Sequence, residues 1–166
     1  LTSESKKNNL KSIILTFFPH PRNVVGSDKI KSISTIDEKI EIFSKLEIDE
    51  LIIQNFDKSF SNMSAEEFVK LLVDNLNLKK IIVGYNHRFG KNRSADISVL
   101  RDFSLKYNFE VVEIKAFEVE KIKISSTKIR NAINEGNIDV CNSYLGYNFN
   151  INGCLLYTSP SPRDPW

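Results

Sequence analysis

Lys11-Ser12-Ile13-Ile14-Leu15-Thr16-Phe17 is a compact apolar run rich in β-branched residues, and it stops at Phe18-Pro19-His20-Pro21, where two prolines forbid regular structure. A run that is apolar at consecutive rather than alternate positions is the pattern of a parallel strand buried on both faces. Upstream, residues 1–9 are polar, helix-compatible and stopped by Asn8-Asn9, as the tail of a helix would be. Downstream, Thr35-Ile36-Asp37-Glu38 is a capping box, followed by Ile36, Ile40, Phe43 and Leu46 at helical spacing. Glu50-Leu51-Ile52-Ile53-Gln54 reads as a second strand, and Ser64-Ala65-Glu66-Glu67 as a second capping box ahead of Phe68, Leu71, Leu72, Val73 and Leu76. Lys80-Ile81-Ile82-Val83-Gly84 is a third strand, residues 94–107 a third helix carrying Ile97, Leu100, Phe103 and Leu105, and residues 109–114 a fourth strand. Strands alternating with amphipathic helices predict right-handed βαβ crossovers and an α/β fold with an open parallel sheet. Ligands of such sheets bind beyond the carboxyl ends of the strands.

Composition bounds the function. The chain has 166 residues, 41% hydrophobic and 27% charged, so it is expected to be one globular domain rather than a disordered chain. A formal net charge of +2 is too small to make nucleic acid or a membrane surface the bulk partner, so any phosphate binding must be local. No apolar run approaches membrane-spanning length. Cys141 and Cys154 show neither metal-ligand spacing nor a disulfide framework, which makes a reducing cytoplasm the expected compartment. His20 and His87 have no carboxylate or serine near them in sequence, so neither a nucleophilic triad nor a metal site is expected from them.

Three loops carry chemistry, and each follows an expected strand, which would set them along one rim of the sheet. In Ile124-Ser125-Ser126-Thr127-Lys128-Ile129-Arg130, Ser125 to Thr127 end an extended run and open a helix that Gly136 closes. The first-turn N–H groups of such a helix are unpaired and lie at the positive end of its dipole. Arg130 follows Ser126 at i+4 on the same face, where a guanidinium can grip phosphate oxygens in two-pronged fashion. The stretch reads as a phosphate clamp, with a well-capped surface helix as the plain alternative. Gly84-Tyr85-Asn86-His87-Arg88-Phe89-Gly90-Lys91-Asn92-Arg93 places cations between glycines, suited to phosphate or to nothing more than solvent. Phe17-Phe18-Pro19-His20-Pro21 offers rigid aromatic surface for a flat heterocycle, or the end of a core strand.

ISSTKIR resembles the SSTxxR signature of the HxGH nucleotidylyltransferase superfamily. TFFPHP and GYNHRFGKN, together with FSNMSAEEFV and YLGYNFNING, resemble the FMN adenylyltransferase (FAD synthetase) module of bacterial bifunctional riboflavin kinase/FAD synthetases. The resemblance covers residues 1–153. It implies a Rossmann-like parallel sheet and adenylyl transfer from ATP to FMN, giving FAD and pyrophosphate, with magnesium. It further implies that Ser125, Ser126, Thr127 and Arg130 hold the ATP phosphates, with Ser126, Thr127 and Arg130 acting in catalysis. Gly84 and Asn86 would belong to the nucleotide side, and Pro19, His20 and Pro21 to the flavin side. The family often has Arg four residues before the first Ser, where this chain has Lys121, which keeps the charge and loses the fork.

The family's GxFDGxHxGH motif is expected just upstream of Leu1. The chain then reads as a fragment that lacks the first, central strand of the sheet and is inactive by itself. Residues 1–143 would be the adenylyltransferase domain, 144–153 the stub of a C-terminal riboflavin kinase domain with a strand-like piece at 149–151, and 154–166 a non-native tail resembling a translated sequencing adapter. Without the central strand, the runs at 12–17 and 81–84 should not be adjacent. The former should pair with 51–53 and the latter with 110–114. Two other functions remain at this stage: another adenylyltransferase of the superfamily, and a nucleotide- or flavin-binding fragment without turnover.

Overall fold

The structure is a computed structural model that describes residues 1–26, 30–115, 118–119, 122–151 and 153. It divides into two compact units, Leu1–Phe117 and Glu118–Trp166. In the first, strands and helices alternate as expected: α1 (Thr2–Lys7), β1 (Ile13–Phe18), α2 (Pro21–Val25), α3 (Ile36–Ser44), β2 (Glu50–Asn55), α4 (Lys58–Ser61), α5 (Ala65–Leu76), β3 (Lys80–Gly84), α6 (Ile97–Tyr107) and β4 (Glu110–Ile114). Both capping boxes form. Thr35 and Glu38 exchange side-chain and backbone hydrogen bonds at the start of α3, and Ser64 and Glu67 do the same at α5.

All pairing in this unit is parallel. β1 pairs with β2 from Ile13 opposite Glu50 to Phe18 opposite Asn55, and β3 with β4 from Lys80 opposite Glu110 to Gly84 opposite Ile114. The expected partners are therefore correct, and β1 and β3 are, as expected, not adjacent: the strands form two separate pairs, and among the described residues no ladder joins β1 to β3. This changes the burial of the opening strand. Ile13, Ile14, Leu15, Thr16 and Phe17 are all half-exposed and Phe18 is exposed, against the expectation of a strand buried on both faces. Among the described residues each of β1 and β3 has one hydrogen-bonded neighbour, so one edge of each lacks the cover that a central strand has.

The core of the unit lies on the second pair. Val69 of α5, Val83 of β3, Leu100 of α6 and Phe109 pack with Phe89 and Ala95 from the loop after β3. Val69 and Leu100 are fully buried, each contributing roughly 1.5–3 kcal/mol. Polar side chains tie down the amino ends of the strands. Ser12 is buried, and its N–H and hydroxyl both donate to Asp49 Oδ2, at 2.7 and 2.6 Å. Glu4 of α1 pairs with Lys80 at the start of β3 (3.0 Å), and Lys6 of the same helix with Glu47 ahead of β2 (2.7 Å), so α1 is linked to both strand pairs.

Several local expectations change. A short helix, α2, begins at Pro21 itself, because a proline at the first helical position gives up only an N–H that would be unpaired anyway, and His20 caps it. The third helix starts at Ile97 with Asp96 as its cap rather than at Ser94, because Ala95 is bridged to Phe89. Leu105 on that helix is 86% exposed, against the expectation that it belongs to the apolar stripe. In the second unit, β5 (Glu118–Val119) and β6 (Ile122–Lys123) form an antiparallel hairpin ahead of α7 (Ser126–Asn134) and α8 (Ile138–Leu145). The extended run before ISSTKIR is thus a hairpin arm and not a further parallel strand, since the link from β4 is too short for a crossover. Residues 149–151 form no strand; Phe149 N–H donates to Asn142 Oδ1 of α8 at 2.7 Å instead. Lys121 and the tail at 154–166 lie outside the described residues.

Candidate functional site

Two of the chemistry-bearing loops leave the carboxyl ends of β1 and β3. The peptide bond Phe18-Pro19 is cis. His20 Nδ1 accepts the Arg22 N–H at 3.2 Å, which fixes the start of α2. Below it opens a cleft of about 340 Å³, with Phe17, Phe18 and Ile36 as its apolar wall and His20, Ser32, Ser34, Thr35 and Lys39 as its polar groups. Of the expected flavin-side residues, His20 lines this cleft, while Pro19 and Pro21 flank it in sequence without lining it. Ser32, Ser34 and Lys39 are not among the residues expected from the sequence; the signal for them is the hydroxyl-rich Ser32-Ile33-Ser34-Thr35 that runs into the capping box.

After β3, Tyr85 N–H continues the ladder to Ile114 O (3.0 Å) and His87 N–H closes a turn on Gly84 O (2.9 Å). That turn holds Asn86 exposed at its tip, with Oδ1 3.7 Å from where a Cβ on Gly84 would sit. The rest of the loop is anchored inward. Phe89 bridges Ala95, Lys91 N–H donates to Met63 O (2.8 Å), and Gly90 lies so close to Ala65 that a Cβ there would meet its backbone N at 2.8 Å. His87 stacks on Phe89 with ring centroids 5.8 Å apart, and burial, then the charge of Arg93, holds its imidazole below its ordinary pKa. Arg88 reaches Asp96 only at 3.9 Å, and Lys91 and Arg93 pair with no carboxylate among the described residues. The loop that carries Asn86 therefore holds an excess of positive charge.

The two loops are joined through rings. Phe17 packs on Phe68 (6.5 Å), Phe68 on Phe89 (6.0 Å) and Phe89 on His87, so β1, α5 and the cationic loop share one aromatic row.

In the second unit, Ser125 caps α7. Its backbone is extended, its Oγ accepts the Lys128 N–H at 3.4 Å, and its carbonyl accepts the Ile129 N–H at 3.1 Å. The N–H groups of Ser126 and Thr127 donate to no group among the described residues, and both side chains are exposed. Ile129 and Ala132 are buried and anchor the helix; Arg130, one turn after Ser126, is half-buried and already engaged within the chain. The structure thus brings Ser125, Ser126, Thr127 and Arg130 together on the first turn and a half of α7, and Gly84 with Asn86 on the turn after β3. Among the described residues no cluster of three or more His, Cys, Asp or Glu side chains could hold a metal ion, and no helix is long and apolar enough to cross a membrane.

The chain is 38% identical over 155 residues to a bifunctional riboflavin kinase/FMN adenylyltransferase of Buchnera aphidicola subsp. Schizaphis graminum, covering 92% of this chain and 50% of that protein. It is 30% identical to the Escherichia coli K12 protein of the same name, over 95% of this chain and 51% of that one. An FAD synthetase of Listeria monocytogenes is 32% identical, over 90% and 62%. The chain spans about half the length of the bifunctional relatives it matches. Among solved structures, a protein described as a macrolide-efflux protein from Streptococcus pneumoniae superimposes with a TM-score of 0.79 at 26% identity, over 89% of this chain and 56% of that one. The FAD synthetase family model matches residues 1–128, and the chain belongs to that family.

Proposed function

We propose that the protein of which this chain is a part transfers the adenylyl group of ATP to FMN in the cytoplasm. An FMN phosphate oxygen attacks the α-phosphorus of ATP, the bond to the bridging oxygen breaks, and FAD and pyrophosphate leave. The observation that carries the reading is the start of α7, where two unpaired amides, two exposed hydroxyls and the Arg130 guanidinium occupy one helical face in a family member. Ser125, Ser126, Thr127 and Arg130 hold the phosphates in this reading, and Arg130 balances the charge that grows on the leaving pyrophosphate. Gly84 allows close approach of the backbone and Asn86 offers its amide to the nucleotide. Pro19, His20 and Pro21 rigidify the flavin side. A phosphate nucleophile needs no strong base, so positioning and charge stabilisation supply the rate. Magnesium, when bound, would neutralise phosphate charge; with no acidic cluster among the described residues it would ride on the ATP phosphates, with the Asn86 carbonyl oxygen as the protein's donor.

The same reading explains the interrupted sheet. We place the chain in the HxGH nucleotidylyltransferase superfamily, with a further strand in the full protein lying between β1 and β3 to give a continuous Rossmann-like sheet. A riboflavin kinase domain would then follow, with residues 144–153 as its first stretch.

Arg130→Lys in the full-length protein tests the clamp. It keeps the charge and removes the two-pronged grip, so the rate of FAD formation should fall by about tenfold or more while riboflavin phosphorylation is unchanged. An unaltered transfer rate would return Arg130 to an ordinary residue of a surface helix.

A further inference from the structure

We infer that Lys39, with the Ser32 and Ser34 hydroxyls, reads the electronegative pyrimidine edge of a flavin ring stacked in the cleft beside Phe18, and so sets which ring this site accepts. The inference rests on the flavin reading of the cleft. Its starting observation is a mismatch of polar groups: the cleft is walled by Phe17, Phe18 and Ile36, yet no carboxylate lines it among the described residues. Lys39 is half-buried, its N–H donates to Thr35 O within the helix start at 3.1 Å, and its ammonium makes no ion pair or hydrogen bond with any described residue. Its acidic neighbour Glu38 turns its carboxylate back to the Thr35 N–H at 2.8 Å, closing the capping box. The Ser32 and Ser34 hydroxyls likewise show no partner among the described residues. Phe18, which lines the cleft, is 53% exposed and its ring pairs with no other aromatic ring among the described residues.

An apolar slot with a rim of donors and an unneutralised ammonium calls for a flat ring that carries acceptors and gathers negative charge along one edge. The N1 and C2 carbonyl edge of isoalloxazine does both. An adenine ring would instead bring the exocyclic amino donor of its pairing edge toward the Lys39 ammonium, which accepts no hydrogen bond. The cleft volume of about 340 Å³ falls at the lower end of ligand sites, room for a ring system but not for a whole dinucleotide. Because Lys39 stands on the first turns of α3, whose start both capping-box bonds fix, its backbone is held in place beside the cleft that its side chain lines.

The test uses this chain as wild type, Lys39→Met and Lys39→Arg, with riboflavin followed by its fluorescence and 1-deazariboflavin, which lacks the N1 acceptor, as competitor. The wild type should prefer riboflavin over the deaza compound by about tenfold, the worth of one charge-assisted hydrogen bond. Lys39→Met should lose that preference by binding riboflavin more weakly while the deaza compound is unaffected, and Lys39→Arg should restore it. Equal weakening of both rings, or unchanged riboflavin binding in Lys39→Met, overturns the role of Lys39 and leaves the flavin site standing. Displacement of riboflavin by inorganic phosphate from the wild type but not from Lys39→Met overturns it too, since Lys39 would then be a phosphate contact. Absence of saturable riboflavin binding to the wild type overturns both the inference and the flavin reading beneath it.

Discussion

His87 shows how a single residue can carry a position in the fold and a dependence on pH together. Its ring is stacked on Phe89, part of the core of the first unit, and burial followed by the Arg93 charge lowers its pKa. In the unfolded chain the imidazole recovers its ordinary value of about 6.5, so below that pH the unfolded state binds more protons than the folded one and stability falls as pH drops. The expectation is a lower urea midpoint at about pH 5.5 than at about pH 7.5, and a smaller difference in His87→Phe, which keeps the stack and removes the proton site. An identical pH dependence in the two proteins would show that His87 is not the group responsible. None of this was legible in the sequence, where His87 read as one more cation of a phosphate loop. A residue type announces what it can do, but whether a histidine is charged depends on how deeply it is buried and on the charges beside it.

At the scale of elements the sequence was most readable where local chemistry alone decides. Thr35 with Glu38 and Ser64 with Glu67 form the two capping boxes that their spacing predicts, because each is complete within four residues. The strand partners also followed from alternation. What failed was the context beyond one element: Ala95 is withdrawn from helix α6 by its bridge to Phe89, and β6 pairs backward with β5, both outcomes of pairing across a loop. Gly90 belongs to this scale as well, since it is where one element is docked on another. Its φ of 72° with ψ of 174° is a conformation open essentially to glycine, and its Cα faces the first residue of α5. Gly90→Ala should therefore cost roughly 1–3 kcal/mol and release the Lys91 N–H from Met63 O. Equilibrium urea unfolding gives the first quantity and amide exchange at Lys91 the second; a stable variant with Lys91 still protected would mean that the loop is held by the Phe89 bridge alone.

For the first unit taken whole, the two strand pairs make a prediction that the linear pattern alone could not. In a parallel ladder the residues of one strand turn their backbone groups alternately to its two neighbours. Glu50 N–H donates to Ser12 O and Phe56 N–H to Phe18 O, which commits Ser12, Ile14, Thr16 and Phe18 to β2. Glu110 N–H donates to Lys79 O and Tyr85 N–H to Ile114 O, which commits Lys79, Ile81, Val83 and Tyr85 to β4. The backbone groups of Ile13, Leu15 and Phe17, and those of Lys80, Ile82 and Gly84, then lie along the two edges that have no strand beside them among the described residues. Exposed edges of this kind are sites of self-pairing, and unpaired amides on them exchange freely with solvent. Hydrogen exchange on this chain should accordingly alternate along β1, fast at Ile13, Leu15 and Phe17 and slow at Ile14 and Thr16, and along β3, fast at Ile82 and Gly84 and slow at Ile81 and Val83. In a longer form of the protein that supplies the proposed strand, the fast set should become protected while the slow set changes little. Uniform protection along β1 in this chain would mean that its second edge is already covered, and would remove the place for a strand between β1 and β3.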